Sequence, residues 1–343
     1  MKLHITCSTD VNYLQHCTAM LCSVLENNKE HDITIHLLHH LLPQHCQCFL
    51  HEMCCRYRQE IIFYDVDESR LDRVHFKHQD LSIATYYRLL LPTLLDKTID
   101  RVLYLDCDVI VLQDISELFK IDLSNYGVAA IKDSAPISNE HRLLIGLELD
   151  CKYFCAGVLL INLQYWRKHN SSETMFDFLD KHAQELFFED QDVLNFTFRN
   201  HWFQLPNKYG KAPLTVAIID DNQKPFDYEE YAFNASIIHY ATHIKPWLDI
   251  RIPNDHHYWK YVKLSGFPNP QTTKVSQYNR KRIIKTKIRY YLNWYIRPWI
   301  PNFLELLVWD IADVFFFFLN VLRPNAFKHY HLIKFLRKYN KTI

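Results

Sequence analysis

The stretch Arg101-Val102-Leu103-Tyr104-Leu105-Asp106-Cys107-Asp108-Val109-Ile110-Val111 decides how this chain is read. Val102 to Leu105 is apolar without alternation, the pattern of a strand buried on both faces near a sheet centre. The run ends in two carboxylates, and the chain turns apolar again at Val109. In open α/β sheets, ligands gather at the carboxyl ends of strands. A pair of carboxylates there suits a hard divalent cation such as Mg²⁺ or Mn²⁺, provided the chain bends so that both converge. Asp106 and Asp108 are equally compatible with a solvated turn or a helix cap.

Outward from that strand, the pattern is of alternating strands and helices. Leu3 to Ser8 is β-rich, Leu14 to Asn27 reads as a helix, and Asp32 to Leu38 alternates as a strand. Gln44 to Arg58 predicts a second helix, Glu60 to Val66 a third strand, Leu81 to Leu95 a further helix, and Val128 to Ile131 a strand. This βαβαβ order favours an open parallel sheet covered by helices. The chain has only 5 glycines and contains neither a G-x-G-x-x-G nor a P-loop motif. Any phosphate group must therefore be held another way, for example by a metal and basic side chains.

Three later segments add to the first. They are Tyr153 to Asn162 with Ala156-Gly157-Val158-Leu159 inside it, Phe188 to Asn195 with Asp190-Gln191-Asp192, and Ile237 to Trp247 with His239 and Lys245-Pro246-Trp247. Each has an ordinary reading alone: a strand, an acidic helix start, a strand-end histidine. Together with Leu81-Ser82-Ile83-Ala84-Thr85-Tyr86-Tyr87-Arg88-Leu89 and Asp106-Cys107-Asp108, they resemble glycosyltransferase family 8. These are the retaining enzymes related to bacterial lipopolysaccharide galactosyl- and glucosyltransferases, and the resemblance runs from residue 3 to about residue 262.

That resemblance implies a GT-A fold, a Rossmann-like nucleotide-sugar-binding domain with a mixed central sheet. It also implies a UDP-sugar donor and Mn²⁺, with Mg²⁺ as the other choice. Carried over by motif, Asp106, Asp108 and His239 would be the metal ligands. Lys245 and Arg88 would be cationic contacts to the donor, and Asp108 would also touch the ribose. Asp10, Asn12 and Tyr13 would hold the nucleoside, reading the imide edge of uracil and stacking on its face. Asp133 would contact a sugar hydroxyl, or alternatively cap a helix. Asp190 and Gln191 fall at the catalytic position. A glutamine is a poor nucleophile, which favours a front-side route through an oxocarbenium-like ion pair over a double displacement. The expected activity is transfer of a hexose, galactose or glucose, to a glycan acceptor, probed by loops within 134–152 and 210–235. The alternative is an inactive nucleotide-sugar-binding partner protein. It is kept alive by three departures from the family pattern: Cys155 where Asn is usual, Thr242 where Gly is usual, and Gly210 where Asn is usual.

Charge divides the chain. It holds 39 Lys and Arg against 39 Asp and Glu; residues 274–343 hold 14 of the basic and 3 of the acidic ones, so residues 1–273 carry 25 and 36. The tail is therefore at +11 and the front at −11. The expected division is a catalytic domain over residues 1–265 and a helical basic-aromatic region over residues 266–343. Phe303 to Leu322 has the length of a membrane span but includes Glu305, Asp310 and Asp313. Cations mixed with Trp, Tyr and Phe instead suit a helix lying on an anionic membrane surface. The expected location is cytoplasmic, peripheral on the inner face of the membrane, near a lipid-linked glycan and without nucleic acid. The N-terminus lacks the pattern of a signal peptide. The 10 cysteines are read as reduced thiols, with a zinc site at Cys46 and Cys48 as the lesser alternative.

Overall fold

In the computed structural model, residues 1–71, 74, 82–133, 137–211, 235–241, 245–249, 254–275 and 280 are described. The strands β1 (Lys2–Ser8), β2 (Asp32–His39), β3 (Glu60–Asp65) and β4 (Arg101–Leu105) are joined by helices α1 (Leu14–Asn27) and α2 (Gln44–Arg56) and by the helical stretch before β4. They lie side by side in the order β3-β2-β1-β4, all parallel, as the βαβαβ pattern predicts. The sheet then changes direction. β7 (Phe154–Asn162) runs antiparallel to β4 and to β6 (Val128–Lys132), and β8 (Trp202–Gln204) closes the edge parallel to β6. The result is the mixed sheet of a GT-A fold.

Burial explains why the first strands read as they do. Leu3, Ile5 and Cys7 on β1 and Ile33, Ile35 and Leu37 on β2 are fully buried. Thr6, on the opposite face of β1, is also fully buried and donates its hydroxyl to the His36 carbonyl at 2.8 Å. Helix α1 is buried on nearly every side, because the sheet covers one face and α8 (Asp255–Ser265) packs on another. All 10 cysteines are free thiols, and Cys46 and Cys48 gather no metal-binding group among the described residues.

The helix expected over 81–95 is a 3-10 helix, Ile83–Leu90, rather than an α-helix for most of its length, and continues into a short α3 (Leu91–Leu94). Pro92 at the start of α3 has no N–H to give the Arg88 carbonyl, which accepts instead from the Leu91 N–H three residues on. The change matters for the site. In a 3-10 helix residues three apart lie directly above one another, so Thr85 and Arg88 share one face.

A second, small sheet carries the remaining site strand. β5 (Val109–Val111) pairs antiparallel with β10 (Ile237–His239), which pairs with β9 (Tyr209–Lys211). Beyond α8, Gln271 is clasped by the Gln15 side chain, which donates to its carbonyl at 3.0 Å and accepts from its N–H at 2.7 Å. The basic-aromatic residues 281–343, residues 212–234 and Thr242 lie outside the described residues.

Candidate active site

The carboxyl end of β4 turns back on itself. The Val109 N–H donates to the Asp106 carbonyl at 3.2 Å, and the Asp106 N–H to the Gly157 carbonyl on β7 at 2.9 Å. Between them Cys107 turns inward and directs its thiol at the Ser8 carbonyl, 3.2 Å away. Asp106 and Asp108 are thereby left on one side of the turn. His239 arrives from β10, whose register places it beside Val109. Ligand atoms of Asp106, Asp108 and His239 all lie within 4.8 Å of one another. His239 Nε2 is 3.1 Å from Asp108 Oδ1, yet that buried oxygen accepts no aligned hydrogen bond among the described residues. The other imidazole nitrogen, Nδ1, faces the Cys155 thiol at 3.5 Å. Room for the imidazole comes from Gly157, where a Cβ would lie 2.1 Å from His239 Cε1. A second group that could gather around a cation, Glu148, Asp150 and Cys151, has two exposed members.

Lys245 Nζ meets Asp108 Oδ2 at 2.5 Å and the Tyr240 carbonyl at 2.8 Å. Burial alone would raise the Asp108 carboxyl, but Lys245 and His239 outweigh it and hold it far below the usual carboxylate range. Lys245 is positioned by its motif. Two residues on, Trp247 stacks on His16 of α1 at 3.6 Å between centroids, and Tyr13 meets Trp247 edge-on at 6.1 Å. His16 is fixed in turn by the Tyr258 hydroxyl, 2.7 Å from its Nδ1. Asp10 opens α1: its Oδ1 accepts the N–H of Asn12 at 2.9 Å and of Tyr13 at 3.0 Å. The predicted nucleoside loop is thus held by Asp10, with Asn12 and Tyr13 set on its turn and Val11 exposed.

Arg88 lies beneath the acids as a buried charge hub. Its side chain is 2% exposed, and it reaches Asp106 at 2.6 Å, Asp190 at 3.0 Å and the Ala156 carbonyl at 2.7 Å. Its guanidinium also sits 3.9 Å over the Tyr104 ring. Burial disfavours the charge, but Asp106 and Asp190 hold it firmly protonated. Thr85 donates to Asp190 Oδ1 at 2.7 Å. Burial pushes the Asp190 carboxyl up to about 6, against the pull of Arg88 and with the repulsion of Asp106 added. The guanidinium that the motif assigned to the donor therefore serves two carboxylates and a backbone carbonyl of the protein.

The model of glycosyl transferase family 8 matches residues 4–251. This chain belongs to that family. Its relatives include general stress protein A of Bacillus subtilis, 29% identical over 285 residues, 78% of this chain and 96% of that protein. A lipopolysaccharide 1,2-glucosyltransferase of Escherichia coli is 28% identical, over 72% of this chain and 73% of the relative. Among solved structures, the galactosyltransferase LgtC in complex with donor and acceptor sugar analogs aligns with a TM-score of 0.69. That likeness has 23% identity and covers 82% of this chain and all of the other, which supports the fold.

In this family 8 glycosyltransferase, α7 (Asp190–Phe198) brings a second layer to the site. Gln191 Oε1 accepts the Ala156 N–H at 2.9 Å while its Nε2 donates to Asp133 Oδ2 at 2.9 Å. Both ends of the amide are therefore fixed. Asp133 does not cap the helix that follows, α4 (Asn139–Leu144), where Ser138 takes that role. Asp192, fully buried, accepts from the Tyr153 hydroxyl at 2.6 Å, from the Phe187 and Phe188 N–H groups at 2.9 Å each, and pairs with His141 at 3.0 Å. Reading the sequence missed Thr85, Gly157, His16 and Asp192 as site residues. The signals were present for two of them: Thr85 stands three before Arg88, and Asp192 repeats the acid of Asp190.

Proposed function

We propose that the protein transfers a hexose, galactose or glucose, with retention from a UDP-sugar to a glycan acceptor on a lipid. The observation that carries this reading is the convergence of Asp106, Asp108 and His239 with Lys245 behind them. These residues fit a divalent metal, Mn²⁺ or Mg²⁺. Two carboxylates and an imidazole form a hard oxygen-and-nitrogen set, and Asp108 Oδ1 is buried with no aligned hydrogen bond among the described residues. A buried acceptor left unmade is costly unless something else satisfies it. When bound, such an ion neutralises charge on a leaving diphosphate as a Lewis acid.

The protein groups do the rest. Lys245 meets the charge that builds on the diphosphate as the anomeric bond breaks. Asp10, Asn12 and Tyr13 receive the nucleoside, and Asp133 a sugar hydroxyl. Asp190 is tied to Arg88 and Thr85, and Gln191 to Ala156 and Asp133, so neither is free to swing in as a nucleophile. A front-side route fits better: the departing phosphate accepts the proton of the incoming hydroxyl, while Asp190 and the Gln191 carbonyl steady positive charge on the sugar.

The deciding experiment is donor hydrolysis across several UDP-sugars with Mn²⁺, followed by product mapping on lipid-linked glycans and NMR of the new anomeric centre. Binding of a UDP-sugar with no turnover would instead favour the inactive partner protein, and Asp190→Ala with near-wild-type rates would end the catalytic assignment. The +11 tail supports a peripheral site on the inner face of an anionic membrane. Among the described residues no helix is long and apolar enough to cross a membrane. Vesicle flotation with and without anionic lipid tests this, and equal flotation on neutral vesicles would refute the electrostatic part.

A further inference from the structure

Asp190 and Gln191 owe their direction to the residue before them. Glu189 has φ 50° and ψ −126°, close to the first central position of a type II′ turn, a place for glycine. The turn closes with the Gln191 N–H donating to the Phe188 carbonyl at 3.0 Å. A glutamate there is strained, and it is also 2% exposed. Such strain persists only where the surroundings over-determine the conformation. Here they do: the Tyr86 hydroxyl donates to Glu189 Oε2 at 3.0 Å.

Tyr86 lies between Thr85 and Arg88 in the same 3-10 helix, and those two residues hold Asp190. Three neighbouring side chains of one short helix therefore grip two neighbouring acids of the turn. On the other flank, Asp192 ties down the Phe187 and Phe188 N–H groups. We propose that Glu189 is a positioning residue: its carboxylate, locked by Tyr86, fixes the turn against the 3-10 helix and so aims Asp190 and Gln191 at the reacting sugar. Glycine would suit the backbone better but would surrender the lock. This inference rests on the transfer reading above.

The test uses Glu189→Gly, Tyr86→Phe and Glu189→Gln in the full chain. It measures kcat and KM for UDP-sugar hydrolysis, thermal midpoints, and amide exchange at Phe187, Phe188 and Gln191. Misplacing a reacting group by about 1 Å costs on the order of 100-fold. Glu189→Gly and Tyr86→Phe should each lower kcat by about 10- to 100-fold with donor KM within about twofold. Exchange at the three amides should accelerate. In Glu189→Gly the relief of the strained φ opposes the loss of the buried Tyr86–Glu189 hydrogen bond, so its midpoint should move little. Glu189→Gln, still an acceptor for Tyr86, should recover most of kcat. Wild-type kcat in Glu189→Gly, or losses that merely follow the midpoints, would overturn the proposal. If the wild-type protein turns over no UDP-sugar, the transfer reading fails, and the exchange data then decide: unchanged exchange in Glu189→Gly and Tyr86→Phe refutes the lock.

Discussion

Gly157→Ala places one methyl group where the site has no space for it. The added Cβ would lie 2.1 Å from His239 Cε1, 2.5 Å from Nε2 and 2.7 Å from Nδ1. Non-bonded carbons rest at about 3.5–4.0 Å, so the ring must retreat by about 1.4 Å or more. The backbone cannot give easily on either side. Gly157 accepts the Asp106 N–H within the central sheet, and β10 holds His239 in register with Val109. The imidazole must therefore swing, losing its place 3.1 Å from Asp108. Metal sites tolerate ligand displacements of only about 0.2 Å. Donor hydrolysis with Mn²⁺ should fall by about 100-fold or more, with a matching loss in Mn²⁺ affinity by calorimetry. Overpacking should also cost about 1–3 kcal/mol of stability, read as a lower thermal midpoint. The cause is isolated by a double-mutant cycle. On a His239→Ala background, Gly157→Ala should add almost nothing, because the clashing ring is gone. Wild-type metal affinity and turnover in Gly157→Ala would refute the reasoning. So would a full additional loss on the His239→Ala background.

The remaining predictions concern the metal, the buried acid and pH. A chelator should abolish donor hydrolysis and Mn²⁺ should restore it, whereas Asp108→Ala should stay at least about 100-fold down at any Mn²⁺ concentration; restoration to wild-type rates would remove Asp108 from the site. Asp192→Ala removes the acceptor of the buried Tyr153 hydroxyl, at about 1–3 kcal/mol, and of two half-buried backbone N–H groups. Urea denaturation should show a loss of at least about 1 kcal/mol, and an unchanged midpoint would contradict the buried network. Burial, with Lys245 assisting and Asp108 opposing, pushes His16 down to about 3. Its folded value lies below its unfolded one, so the unfolded chain binds the extra proton and stability falls as pH drops from about 6.5 toward 3. At pH 5 the His16 share is about 2 kcal/mol. His16→Phe keeps a ring against Trp247 and should flatten that part of the pH dependence of the urea midpoint, and an unaltered slope would show that His16 does not carry it.

Several parts of this architecture were legible in the linear chain. The apolar run of β4 marks a sheet centre, and its acidic end marks Asp106 and Asp108, which the fold brings together with His239, because burial on two faces and carboxylate chemistry are local properties. The shortage of glycine excluded a phosphate loop, and the charge split set the tail apart. The spacing over 81–95 marks a helix but does not distinguish a 3-10 from an α repeat over so short a run. Pro92 was the available clue. The Tyr-x-Arg spacing points Arg88 at a donor, whereas its place beneath Asp106 and Asp190 is not legible in the sequence.

Sequence alone determined the family, the order of the first strands and helices, and the chemical types gathered at the site. Tertiary structure decided which of those groups meet. Gly157 and His239 are 82 positions apart, and Arg88 and Asp190 are 102 apart. Their contacts depend on strand register, on β7 running against β4, and on the eclipsed turns of a 3-10 helix. Side-chain chemistry belongs to a residue wherever it stands, but a distance of 3 Å belongs to the packing of the whole sheet.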